Sequence, residues 1–188
     1  MSRRTLRIVL WGVLLVLGLV FVWVAPRVRA GDTDENRARV EQMYADYRED
    51  SFSELPDLTV AEARSVADSL AATASPDDDV IWLDVRDARE RRISGLPDAI
   101  DQQTFVRNRE DWADRPVVVY CTVGYRSGLS ARELRRKGVE AWNLAGGILA
   151  WAHEGGRVLD GRTGEPTRRV HVYGWRWNLL PEGWKAVW

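Results

Sequence analysis

The sequence predicts an α/β fold: a central parallel sheet covered on both faces by helices, preceded by an apolar helix at the N-terminus. Two observations predict the sheet. Short strand-like runs at Val80–Leu83, Val117–Tyr120 and Glu140–Asn143 alternate with charged, helix-compatible stretches at the spacing of strand–helix–strand units. The central run, Val117-Val118-Val119-Tyr120, is β-branched and aromatic without a break, as in a strand buried on both faces. A third observation sets the scale: 188 residues allow one ordinary domain with extensions.

Taken in order, Ile8 to Ala25 is uncharged and strongly apolar, with Arg3, Arg4 and Arg7 before it and Arg27 and Arg29 after. Eighteen helical residues span roughly 27 Å, about the hydrocarbon thickness of a bilayer. Trp11 and Trp23 near its ends suit the two interfaces. The length favours an uncleaved anchor. A cleaved signal peptide is the alternative, with Val28-Arg29-Ala30 as a small-residue cut site. The arginines lean the N-terminus inward, so the reading is a single-pass protein of the bacterial inner-membrane type with the domain that follows in the periplasm.

Asp32 to Asp50 is polar and helix-compatible, with Val40, Met43, Tyr44 and Tyr47 on one face, and reads as a cover for the domain or a spacer from the membrane. Thr59 and Glu62 have capping-box spacing and open a helix to about Ala72. Ser75 to Asp79 reads as a turn, Val80 to Leu83 as a strand, and Asp87 to Ile93 as an arginine-rich helix. Gly95-Leu96-Pro97 is a turn, and Phe105 to Trp112 a short helix or irregular crossover. After the Val117–Tyr120 strand comes a loop from Cys121 to Ser127, then a helix from Gly128 to Lys137 ended by Gly138. Glu140 to Asn143 is a strand and Gly147 to Glu154 a last helix. These elements divide the chain into an anchor at 1–30, a polar helical spacer at 31–57, a domain at 58–160 and a Trp/Arg-rich tail at 161–188.

The chemistry points to one place. Cys121 is the only cysteine, so no internal disulfide exists and its thiol is free or modified. It stands at the carboxyl end of the predicted strand, where ligands gather in parallel sheets, and faces the start of a helix. There, unpaired N–H groups and the positive end of the dipole, worth about 0.3–2 kcal/mol, favour an anion or a thiolate. The guanidinium of Arg126 adds to this. The competing reading is a buried, inert thiol.

Three motifs resemble a known family. Cys121-Thr122-Val123-Gly124-Tyr125-Arg126-Ser127 after the valine strand is similar to the active-site loop of rhodanese-type sulfurtransferases. Ile81-Trp82-Leu83-Asp84-Val85-Arg86, with Glu90 and Ser94 to Ile100, resembles the family's first signature, and Asn143 to Trp151 with Gly155 its last. The resemblance implies a three-layer sandwich, and a Cys121 persulfide that moves sulfane sulfur from thiosulfate or a persulfide to a thiol or cyanide. It implies a cradle of N–H groups from Thr122, Val123, Gly124, Tyr125, Arg126 and Ser127, with Gly124 free to take positive φ. Arg126 then either faces the anion or braces the loop through carboxylates such as Asp84. Asp84 and Arg86 read as a supporting ion pair, and Trp151 as core.

Leu96 stands where the family often has His, and Asp98 where Gly is frequent, which puts the local turn in question. The nearest enzymatic rival is a cysteine phosphatase or arsenate reductase on a similar loop; four residues separate Cys121 from Arg126, where the phosphatases that resemble this family have five. The smaller ring suits a sulfur atom better than a tetrahedral oxyanion. A non-catalytic module of the same family is the rival from another class. Val123 and Tyr125 make the rim apolar, so modest thiosulfate use is expected, with a thiol or protein persulfide as the better donor.

Composition sets the partners. From Asp32 to Arg115 there are 22 acidic and 11 basic residues, which speaks against nucleic acid. His153 and His171 lie far from each other and from Cys121 in sequence, so no metal-ligand spacing exists and no cofactor is expected. His153 is expected on an exposed helix face. Of the ten Trp, Trp175, Trp177, Trp184 and Trp188 crowd the tail, where they either pack on the domain or rest at the membrane interface.

Overall fold

The computed structural model describes residues 33–72, 79–112 and 115–188. The apolar run at 8–25, on which the expected anchor rests, lies outside them, as does most of the turn expected at 75–79. Among the described residues no helix is long and apolar enough to cross a membrane.

In chain order the elements are α1 (Thr33–Ser51), β1 (Asp57–Leu58), α2 (Val60–Ala71), β2 (Ile81–Asp84), α3 (Ala88–Ile93), β3 (Ile100–Asp101) and α4 (Gln102–Arg107). After a 3₁₀ turn at Arg109–Trp112 come β4 (Val117–Tyr120), α5 (Tyr125–Arg136), β5 (Ala141–Leu144) and α6 (Gly147–His153). The chain ends with β6 (Arg169–His171), a 3₁₀ turn at Trp175–Trp177, and β7 (Lys185–Val187).

The first five strands form one parallel sheet in the order β1-β5-β4-β2-β3. Parallel strands bond through long crossovers, which forces helices onto both faces. The alternation along β4 shows the two faces directly. Val118 and Tyr120 join a core with Val40, Val60, Ala63, Ile148 and Leu149. Val117 and Val119 join a second core with Phe52, Phe105 and Ala131. All four residues of β4 are fully buried, so three layers meet on this strand.

Local signals explain the helix starts. Thr59 and Glu62 exchange both bonds of a capping box, as do Asp87 and Glu90. α1 buries Val40 and Tyr44 against the domain; the Tyr44 hydroxyl donates to Asp57 at 2.6 Å and accepts from Asn143 at 3.1 Å. The segment after 160 is ordered too. Its parallel pair β6-β7 places Val170 and Val172 in the first core together with Leu179 and Leu180. Trp177 and Trp184 pack against that core, while Trp175 and Trp188 are exposed.

Both departures at the 95–98 turn have a physical reason. Asp98 adopts φ 57°, a left-handed conformation that glycine takes without strain and Asp tolerates better than most residues. Leu96 is buried in the core, and its N–H donates to the Tyr120 hydroxyl at 3.1 Å.

Candidate functional site

β4 delivers Cys121 to the carboxyl edge of the sheet, and the chain turns there in only three further residues. α5 begins at Tyr125, not at Gly128: Gly124 is its N-cap, at φ 102°. Tyr125, Arg126 and Ser127, expected in the loop, are therefore the first helical turn. Their N–H groups have no acceptor within the helix and face its N-terminal end. A side chain on Gly124 would meet the Tyr44 ring, its Cβ lying 2.5 Å from Cδ2.

The thiol is buried and already has donors. The Gly124 N–H points at Cys121 Sγ (3.2 Å), and the fully buried Ser127 hydroxyl donates to it at 3.4 Å. Behind the sulfur, α6 holds the loop from its other side. The Ile148 N–H donates to the Cys121 carbonyl (3.0 Å) and the Leu149 N–H to that of Thr122 (3.2 Å). Two helix N-termini thus converge on the loop, one on the sulfur and one on the backbone that carries it.

Arg126 does brace the loop, but through Glu90 and not Asp84. Its Nη1 and Nη2 donate to the two Glu90 oxygens, each at 2.7 Å, and Nη2 reaches Thr122 Oγ1 at 3.3 Å. Glu90 also accepts from the Thr122 hydroxyl (3.2 Å) and from the Asp87 N–H (2.9 Å). Burial alone would raise the Glu90 carboxyl; Arg126, the Asp87 N–H and Arg86 outweigh it and hold the group below the usual carboxylate range. In the sequence Glu90 stands only within the stretch that resembles the family's first signature, and nothing local links it to Arg126, 36 residues away.

A folded-state value below 4.5 makes Glu90 stabilising above that pH, and the contribution is lost as pH falls through the lowered value. Glu90→Gln is therefore expected to unfold less steeply with acid than the wild type below about pH 4, while being the less stable of the two at pH 7. Urea midpoints at the two pH values check this, and an acid dependence unchanged by the substitution would contradict it.

Asp84 and Arg86 form the ion pair at the end of β2. Arg86 Nε lies 3.0 Å from Asp84 Oδ1 and Nη2 2.7 Å from Oδ2, both side chains being almost fully buried. The Tyr120 hydroxyl adds a bond to Asp84 Oδ2 at 2.7 Å, and Arg86 Nη2 donates to the Ser94 carbonyl at 2.5 Å. The pair thus ties β2 to the residue just before Cys121.

The remaining candidates fall away from the thiol. Trp151 is core, its Nε1–H donating to the Arg157 carbonyl at 2.9 Å. His153 is not on an open face: it is half-buried, with Nε2 2.7 Å from the Leu179 carbonyl. His171 is buried, and burial pushes its imidazole toward the neutral form. Among the described residues no group of His, Cys, Asp and Glu could hold a metal ion.

The chain is similar to known proteins over its central stretch. The model of the rhodanese-like domain matches residues 66–154. A sulfurtransferase of Allochromatium vinosum is 34% identical over 93 residues, covering 47% of this chain and 87% of that protein. The chain belongs to the rhodanese-like family. Two longer relatives match over a part of their length. A tRNA sulfurtransferase of Desulfurococcus amylolyticus is 41% identical over 113 residues, which cover 60% of this chain but 22% of that protein. A tRNA uridine(34) hydroxylase of Corynebacterium diphtheriae is 32% identical over 108 residues, covering 50% of this chain and 35% of that protein. The rhodanese-like match ends before β6, so the last 34 residues lie outside the matched stretch, as do α1 and β1.

Proposed function

We propose that the protein is a sulfurtransferase that carries sulfane sulfur on Cys121, taking it from thiosulfate or a persulfide and passing it to a thiol or cyanide. The observation that carries this reading is the sulfur of Cys121 held by the Gly124 N–H and the Ser127 hydroxyl at the N-terminus of α5. These donors suit a negative sulfur, and the free N–H groups of the first turn suit a second one bonded to it.

In the first step the Cys121 thiolate attacks the outer sulfur of the donor. A Cys–S bond forms and the donor's own S–S bond breaks, its electron pair leaving with sulfite or a thiolate. In the second step an acceptor thiolate attacks the outer sulfur of the persulfide and releases Cys121 as the thiolate. Arg126 is a positioning residue in this scheme: its guanidinium is committed to Glu90 and holds Thr122 and the loop. Its charge is largely balanced, which fits the expectation of modest thiosulfate use.

Steady-state transfer tests the reading. Thiocyanate from cyanide, or persulfide from a thiol acceptor, is expected with the full chain and absent with Cys121→Ala. Release of phosphate from an aryl phosphate, with no sulfur transferred, would replace this reading with a phosphatase. A small donor and a thiol or protein persulfide are the proposed partners. The acidic first half speaks against nucleic acid; because two relatives bear tRNA in their names, RNA belongs among the acceptors tried, and its thiolation would overturn that expectation.

We also propose that residues 8–25 hold the protein at the membrane with the catalytic domain in the periplasm. A reporter fused after Trp188 should be active only on the periplasmic side, and cytoplasmic activity alone would contradict it.

A further inference from the structure

The pocket that opens onto Cys121 has about 270 Å³ of space and is walled by rings. Tyr47 of α1 and Tyr125 of α5 lie on it with centroids 4.9 Å apart. Tyr173 and Trp177, on the segment after β6, lie on it edge-to-face at 5.1 Å. Three of these four rings come from outside the stretch that matches the family, residues 66–154. The pocket is thus completed by residues that lie outside the matched stretch.

Its electrostatics point the same way. Arg126 is the only charged residue on the wall, and both of its terminal nitrogens are bonded to Glu90, with the Tyr173 ring 5.8 Å from its guanidinium carbon. A dianion such as thiosulfate meets no uncommitted cation there. A flat apolar group would be lined by two ring pairs, the kind of wall that favours apolar ligands.

We propose that the pocket selects its sulfur donor by an apolar, ring-bearing carrier group, and that Tyr173 and Trp177 are the specificity residues. The donor class is an organic persulfide, R–S–SH, whose R group rests among the rings while its outer sulfur reaches Cys121 Sγ. The thiolate attacks that outer sulfur; the Cys–S bond forms, the donor's S–S bond breaks with its electron pair going to the inner sulfur, and the proton of the outer sulfur passes to the leaving thiolate to give R–SH. This deepens the sulfurtransferase reading and rests on it.

Stable probes test it. Benzenethiosulfonate and methanethiosulfonate carry the same charge and the same transferable sulfur, each leaving as a sulfinate, and differ in the ring. With the full chain, the ratio of their kcat/KM values, each divided by the donor's rate with free cysteine, is expected to favour the ring by about tenfold or more, roughly 1.4 kcal/mol. Tyr173→Ala and Trp177→Ala should each cut that ratio at least threefold, and the double variant should bring it close to one. Tyr173 is 65% exposed, so its removal leaves the core intact, and the wild-type ratio decides the matter even if the Trp177 variant folds poorly. A wild-type ratio near one, or a ratio unmoved in folded variants, would overturn the inference while leaving sulfur transfer standing. If no donor places sulfur on Cys121, the sulfurtransferase reading fails, and this inference with it.

Discussion

Asp84→Ala should lower the unfolding free energy by about 3–5 kcal/mol, the usual cost of leaving one half of a buried ion pair behind. The Arg86 side chain is fully buried, and Asp84 accepts its Nε and Nη2, its backbone N–H at 2.9 Å, and the Tyr120 hydroxyl. Removing the carboxylate takes an acceptor from all four donors at once and leaves Nη2 only the Ser94 carbonyl. Against a typical domain stability of about 5–15 kcal/mol, this is roughly a fifth or more of the total. Urea unfolding with an unchanged slope reads it as a lower midpoint. Asp84→Asn, which keeps an oxygen, should fall between the two. Asp84→Ala combined with Arg86→Met should recover much of the loss, because two matched apolar groups replace an unpaired charge. A loss under about 1 kcal/mol for Asp84→Ala would mean that the pair does not clamp β2 to β4.

Gly147→Ala is the second large effect, and it acts on the loop. Gly147 has φ 55°, which costs an alanine about 1–2 kcal/mol. The new Cβ would also lie 2.4 Å from the Cys121 carbonyl oxygen and 2.8 Å from that of Thr122. Those are backbone atoms with no rotamer to yield, so α6 must back away and lengthen the bonds from Ile148 and Leu149. A shift of the loop on the order of 1 Å misplaces the sulfur, and sulfur transfer is expected to drop about a hundredfold. Gly164→Ala is the control: φ is 73° but nothing lies within 4 Å of the added carbon. It should cost about 1–2 kcal/mol in stability and leave transfer at the wild-type rate. Equal rates for the two variants would show that the α6 contact does not hold the loop.

Much of the central sheet could be read from the chain because its signals are local. Val117–Tyr120 is an unbroken strand-forming run, and Thr59/Glu62 and Asp87/Glu90 carry both halves of a capping box within four residues. β1 and β3, two residues each, are too short to show a period. The start of α5 was misplaced by three residues because its cap, Gly124, makes no side-chain bond, and because Gly128 looked like a boundary. Gly128 is in fact mid-helix, where an added Cβ would lie 2.5 Å from the Phe52 ring. At the site, Cys121, Gly124 and Ser127 could be read from one contiguous motif. The pairing of Arg126 with Glu90, and the rings that Tyr47, Tyr173 and Trp177 bring to the pocket, depend on tertiary contacts that no local pattern encodes.

The central claim is that Cys121 alone accepts one sulfur atom. Intact-mass measurement of the full chain after exposure to thiosulfate or a persulfide, with no acceptor present, tests it most directly. The expected result is a gain of one sulfur, localised to the peptide containing Cys121, removed by a thiol and absent in Cys121→Ala. An unchanged mass under conditions where the protein is folded, or a gain that persists in Cys121→Ala, would contradict it.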